Sequence, residues 1–283
     1  MNHRKRTSEN GGLTMGFKAP HEIAIAAVEA GVKKTNLSLM NLVFLGFLGG
    51  AYISVGYLLY IRVTASLPQD WGTFGSFIGA ALFPLGLILI LIAGGELLTG
   101  NMMAVPMAWL AKRIPLSRLV HNWFWITISN FAGAIFVAYF FGHLGEFTAS
   151  GVYLEKTVDI AAHKIHVDFW PALISGIGCN WLVALGVWLS YSATDISGKI
   201  AGIWFPIMAF VAIGFQHVVA NMFVIPAAIF EGYFTWMDYF KNFVPVFLGN
   251  AIGGSVLVAF VYWKSYQSYL YPLTEEGNRK DVK

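Results

Sequence analysis

Three ionisable side chains interrupt long apolar stretches of this chain: Glu96, His121 and His217. Burying such a group in hydrocarbon costs free energy, so each is a functional candidate by default. His217 lies deep inside residues 200–230, a run of 31 with no formal charge. Imidazole titrates near neutrality, so at that depth it can donate a hydrogen bond to a weak-acid anion or trade a proton with it. Thr99, in a second apolar run, carries a hydroxyl able to bond the ring or the solute. Glu96 follows Gly94 and Gly95, where a carboxylate would cap the freed N–H groups of a new helix. His121 sits near the start of its apolar run and reaches the interface, which gives it a structural role.

These residues belong to a pattern that occurs twice. Glu96 to Pro106 reads ELLTGNMMAVP, and Gln216 to Pro226 reads QHVVANMFVIP. Asn101, Met102 and Pro106 recur 120 positions later as Asn221, Met222 and Pro226, and Asn130 and Gly133 recur as Asn250 and Gly253. The chain therefore reads as a duplication in which each half breaks an apolar segment with polar residues. Paired interrupted segments in a duplicated membrane protein point to the solute pathway. Asn101 and Asn221 are expected to hold the backbone freed at each break, with Gln216 standing where the first half has Glu96.

The elements that position these residues follow from composition. Hydrophobic residues make up 57%, charged residues 12%, and mean hydropathy is +0.63, whereas soluble domains carry roughly 25% charged residues. This is an all-α membrane protein. Residues 39–61, 119–141, 169–191 and 243–263 are apolar runs of about 20, the length a ~30 Å hydrocarbon core requires. Residues 74–111 and 200–230 are different. As straight helices they would be roughly 57 and 46 Å long, too long for one span and too short for two. Each reads as two half-helices around a non-helical loop, which survives at membrane depth only if buried in protein or lining a wet cavity. If each crosses once, there are six spans with both termini cytoplasmic, and 14 of the 18 Lys and Arg residues lie inside, as the positive-inside rule favours. Three spans per half makes the halves inverted repeats.

The expected organisation is a cytoplasmic tail over 1–38, a six-span channel domain over 39–264 and a cytoplasmic tail over 265–283. Within the first tail, KAPHEIAIAAVEAGVKK reads as an amphipathic helix on the membrane surface, with Pro20 in its first turn and Ile23, Ala26, Ala27 and Ala30 on one face. The basic HRKR run is a topology signal rather than a nucleic-acid patch. No apolar h-region follows it, so no cleaved signal peptide is expected. The GFLGG, SGIG and GNAIGG patches suit close helix packing. Cys179 is the single cysteine and forms no intrachain disulfide. His163 and His166, in HKIH, are too few ligands for a metal site, and no cofactor is implied.

On these residues the chain resembles the formate/nitrite transporter family, most closely its formate channels. GGELLTGN is similar to the family's first broken-helix loop, which puts Thr99 on the pathway threonine. GFQHVVANMFVIP resembles the second loop and puts His217 on the central histidine. The HKIH segment puts Lys164 in the outer vestibule, and NWLVALGVWLSYS brings Asn180 and Val183 to the pathway wall. The resemblance further implies apolar constrictions at Leu87, Leu98 and Phe210, an aquaporin-like protomer and a homopentamer in the cytoplasmic membrane. It also implies passage of a small monovalent anion, formate first, with protons. Nitrite, hydrosulfide, acetate and lactate are alternatives of the same class. Two departures stand out: many members have Glu where this chain has Gln216, and many formate channels have Phe where it has Leu98.

Two other classes fit less well. An aquaporin-type neutral-solute channel would carry Asn-Pro-Ala at both breaks, where this chain has Asn-Met. A membrane oxidoreductase would need paired deep histidines for haem, and only His217 is deep.

Overall fold

The computed structural model describes residues 16–271, so the HRKR run and the C-terminal Arg279, Lys280 and Lys283 lie outside the described residues. The described chain is helical: α1 (Pro20–Thr35), α2 (Leu39–Thr64), α3 (Thr73–Gly94), α4 (Leu98–Leu110), α5 (Leu116–Leu144), α6 (Gly151–Ile165), α7 (Phe169–Ser192), α8 (Ile196–Ile213), α9 (Val218–Phe230) and α10 (Trp236–Ser265), followed by a short turn of helix. Six of these, α2, α3, α5, α7, α8 and α10, are long and apolar enough to span a membrane. The second and fifth spans are the broken ones, α3 continuing into α4 and α8 into α9.

Both described ends lie on one face, called here the terminal face. His21 stacks on Tyr269 with ring centroids 4.4 Å apart, and the Tyr271 hydroxyl donates to the Leu110 carbonyl at 3.1 Å. Phe17 forms a bridge with Ala193, and the Lys18 N–H donates to Ser192 O at 2.9 Å, so the chain before α1 is pinned to the α7–α8 turn. The opposite, far face carries the 65–72 connection, α6 and the α9–α10 turn.

Pro20 opens α1 as its sequence predicts. Its buried face is Ile23, Ala24, Ala27, Val28 and Gly31, rotated from the expected one, because α1 packs on α4 rather than lying free on the membrane. The 142–168 connection holds α6, a helix the sequence reading did not resolve. It is the repeat mate of α1, and it packs on α9 as α1 packs on α4.

Glycine sets how closely the spans approach. A Cβ on Gly133 would overlap the Phe47 carbonyl, and one on its mate Gly253 would overlap the Ile177 carbonyl. The α2–α5 and α7–α10 pairs therefore cross at backbone contact, as small residues allow in membranes.

Candidate functional site

Both breaks are built alike. The first half of each broken span ends on a glycine with left-handed backbone, Gly94 (φ 108°) and Gly214 (φ 87°), which a side chain would strain. Two non-helical residues follow. The second half then starts from an extended N-cap, Leu97 (φ −111°, ψ 127°) in the first break and His217 (φ −107°, ψ 117°) in the second. The N-terminal, electropositive ends of α4 and α9 thus converge inside the protein, a favourable setting for an anion.

The freed backbone is held from neighbouring spans, and here the structure corrects the sequence reading. Asn130 of α5 accepts the Leu98 N–H at 2.9 Å and donates to Gly46 O at 2.7 Å and Glu96 O at 2.8 Å. Asn250 of α10 repeats this, accepting Val218 N–H at 2.9 Å and donating to Gly176 O at 2.8 Å and Gln216 O at 3.0 Å. Asn101 and Asn221 do not bind the freed backbone. They sit inside the new helices and bind side chains instead: Asn101 donates to Glu96 and Asn122, both at 2.9 Å, and Asn221 to Gln216 and Asn242, both at 2.8 Å. Glu96 is likewise no backbone cap. Its carboxylate takes the Lys34 ammonium, 2.9 Å from each oxygen. Its partners are the Lys34 ammonium and the Asn101 amide, and Asn130 does the capping.

His217 and Thr99 come together. His217 Nε2 lies 2.9 Å from Thr99 Oγ1, with both residues buried. His217 Nδ1 accepts the Ala220 N–H at 3.0 Å, so the histidine also N-caps α9. That bond fixes the tautomer. With Nδ1 an acceptor, the neutral ring carries its proton on Nε2 and donates to Thr99, leaving the Thr99 O–H free to donate elsewhere. Asn180 of α7 donates to Thr99 O at 3.2 Å and Asn250 O at 2.7 Å, tying the first break to the second half. Its Oδ1 is buried with no partner among the described residues.

Apolar side chains flank the pair. A small void beside His217 is lined by Phe83, Leu87, Leu97, Val183 and Phe210, among others. The Phe210 and His217 rings lie 5.6 Å apart, and Phe83 meets Phe210 edge-on at 5.8 Å. Leu98 is not part of this lining. It opens the helix and is wholly buried, while its neighbour Leu97, the extended N-cap, faces the void. Sequence reasoning missed Leu97 and Phe83; the 120-residue shift that pairs Leu97 with His217 was the available signal.

A larger cavity of about 270 Å³ opens on the far side of His217 and takes in Tyr57, Lys164, Phe215 and Asn221. Lys164 is half-buried at the end of α6, and its ammonium donates to Phe215 O at 3.4 Å. Burial pushes its pKa down to about 8. Lys34, its counterpart on the terminal face, behaves oppositely. Burial works against its charge, but Glu96 more than offsets this and holds the ammonium above its usual range.

Two inverted three-span repeats with opposed broken helices, in an aquaporin-like protomer, define a multi-pass membrane transport protein. A family model described as formate/nitrite transporter matches residues 21–264. The chain is 58% identical to the "Formate channel BtFdhC" of Bacillus thuringiensis, covering 89% of this chain and 97% of the relative. It is 57% identical to the "Uncharacterized transporter YrhG" of Bacillus subtilis, covering 95% and 99%. The "Formate channel FocA" of Escherichia coli K12 is 32% identical over 87% and 94%. Among solved structures, a "Pentameric formate channel with formate bound" superposes with a TM-score of 0.68 at 29% identity, covering 84% of this chain and 98% of that one. An "FNT family ion channel" superposes at 0.80, covering 86% and 98%. This chain belongs to the formate/nitrite transporter family, a family of transporters rather than enzymes.

Proposed function

We propose that the protein is a channel for small monovalent anions, formate foremost, and that the anion crosses accompanied by a proton. The observation that carries this reading is the Thr99–His217 pair, set between apolar residues where two helix N-termini converge. A bare anion in an apolar slit meets a large desolvation penalty, and a neutral acid escapes it. The free Thr99 O–H can meet the carboxylate at the narrow point, polarised by the His217 N–H behind it. Protonating Nδ1 would break the bond to Ala220, so the ring acts as a neutral donor rather than a titrating shuttle. The proton then arrives with the solute from the vestibule. Phe83, Leu87, Leu97, Val183 and Phe210, which line the void beside the pair, are the apolar constriction that admits only the neutral form. Lys164 draws anions into the far vestibule.

The far face is extracellular and the terminal face cytoplasmic, which keeps 14 of the 18 basic residues inside. The protein works in the cytoplasmic membrane as a homopentamer with one path per subunit. Exposed apolar side chains such as Phe44, Phe124, Ile174 and Phe205 are available to lipid and to neighbouring subunits.

Uptake by proteoliposomes of formate, nitrite, hydrosulfide, acetate and lactate, at two pH values, tests the reading. Formate is expected to enter fastest, faster at the lower pH, and His217→Phe to abolish uptake while insertion is retained. Formate uptake no faster than in protein-free vesicles would overturn it.

A further inference from the structure

We infer that Gln216 makes the two ends of the pathway electrically unequal: the far cavity is a net-positive anion-binding site, whereas at the terminal end Glu96 neutralises Lys34. This rests on the channel reading above. Around the two lysines the breaks are bonded alike. Lys34 and Lys164 end repeat-mate helices, and each offers its backbone carbonyl to an asparagine one repeat apart, Asn122 at 3.2 Å and Asn242 at 2.7 Å. Position 96 is a carboxylate and sits 2.9 Å from Lys34. Position 216 is an amide. It accepts from Asn221 just as Glu96 accepts from Asn101, but its second group is a donor, aimed at Lys164 O at 3.3 Å. Among the described residues Lys164 has no carboxylate within ion-pair distance. The one carboxylate lining the far cavity, Asp159, lies 3.5 Å from His163 instead.

An uncompensated charge in a narrow, low-dielectric vestibule concentrates counter-ions, whereas a lysine paired at 2.9 Å presents little net field. Anion capture is then tighter from the far face. The pathway is passive, so Vmax/KM must be equal in the two directions at zero potential and equal pH. A lower KM on the far side therefore comes with a proportionally lower Vmax.

The test measures formate flux in right-side-out and inside-out membrane vesicles from one host lacking formate transport, at pH 7 and low salt. The parent is expected to show a KM about threefold to tenfold lower from the far face, a Coulomb effect of one charge across a wet vestibule. Gln216→Glu recreates the Glu96–Lys34 arrangement and should raise the far-face KM to the terminal-face value. Glu96→Gln should lower the terminal-face KM by a similar factor. If either variant fails to insert, Lys164→Met replaces it and should raise only the far-face KM. Equal KM values on both faces of an active parent, or a Lys164→Met effect equal on both faces, would overturn the inference. A parent that moves no formate would instead overturn the channel reading.

Discussion

The two halves of this protein share a scaffold, and three differences at the breaks carry the chemistry. Asn130 and Asn250 cap the half-helices with the same three hydrogen bonds each. At the first break the residues are Glu96, Leu97 and Thr99; at the second they are Gln216, His217 and Val219. At the second and third of these positions, one half places a polar side chain where the other places an apolar one. Thr99 and His217 therefore meet across the pseudo-symmetry axis and form one pair rather than two sites. Duplication supplies the frame, and divergence at the breaks supplies a single polar contact within an apolar lining.

If the frame is truly shared, removing either cap should do equal damage, and this is the largest effect expected. Asn130→Ala strands the Leu98 N–H and the Glu96 carbonyl in the interior, a cost on the order of 2–5 kcal/mol. Asn250→Ala strands the mates. Both should lower the yield of detergent-stable protein sharply. A severe defect in one with none in the other would break the equivalence of the halves.

The next effect separates them. Thr99→Val gives the first half the apolar residue of the second, keeps the volume and removes the hydroxyl. Losing one hydrogen bond at the narrow point, about 0.5–1.5 kcal/mol, should slow formate uptake about threefold to tenfold without reducing yield. Val219 of the second half is wholly buried, and Val219→Thr should not rescue the loss.

A smaller effect is the alkaline limb. With its pKa pushed down to about 8 by burial, Lys164 is charged below that pH and loses its charge as pH rises through it. The far-face KM should be flat below about pH 7 and climb above pH 8, and Lys164→Met should flatten the curve. Other titratable groups facing the same cavity are Tyr57 and Tyr60 from α2, Lys156, Asp159 and His163 from α6, and His217; Cys179 of α7 also acts on Lys164. Persistence of the climb in Lys164→Met would assign it to one of these. The smallest effect is ionic strength. Lys164→Ala should slow uptake about twofold at low salt, a difference that fades toward 1 M salt as screening shortens to about 3 Å.

Much of this was legible in the sequence because the repeat exposes it. The 120-residue shift aligned both breaks, placed His217 and Thr99 in them and showed that Asn130 and Asn250 correspond. What it hid has physical reasons. The caps come from spans 32 residues away, so no local pattern joins Asn130 to Leu98. Helix α6 escaped because the shift there is 130, as Lys34 to Lys164 and Gly46 to Gly176 show; the first half spends more residues between its first two spans, over 65–72, than the second does over 193–195. The family resemblance points to Leu98, but one residue of extended backbone turns Leu97 instead toward the void.

The central claim is that His217 serves as a neutral donor, held in one tautomer by the Ala220 N–H, and the pH profile of His217→Asn tests it most directly. Asparagine is a strong N-cap and carries an amide donor but cannot titrate. Formate uptake by reconstituted His217→Asn, measured between pH 5 and 8 beside the parent, should be slower by about tenfold or less and should rise toward low pH with the parent's slope. Anion flux that persists but no longer depends on pH would contradict the account and make the histidine itself the proton carrier.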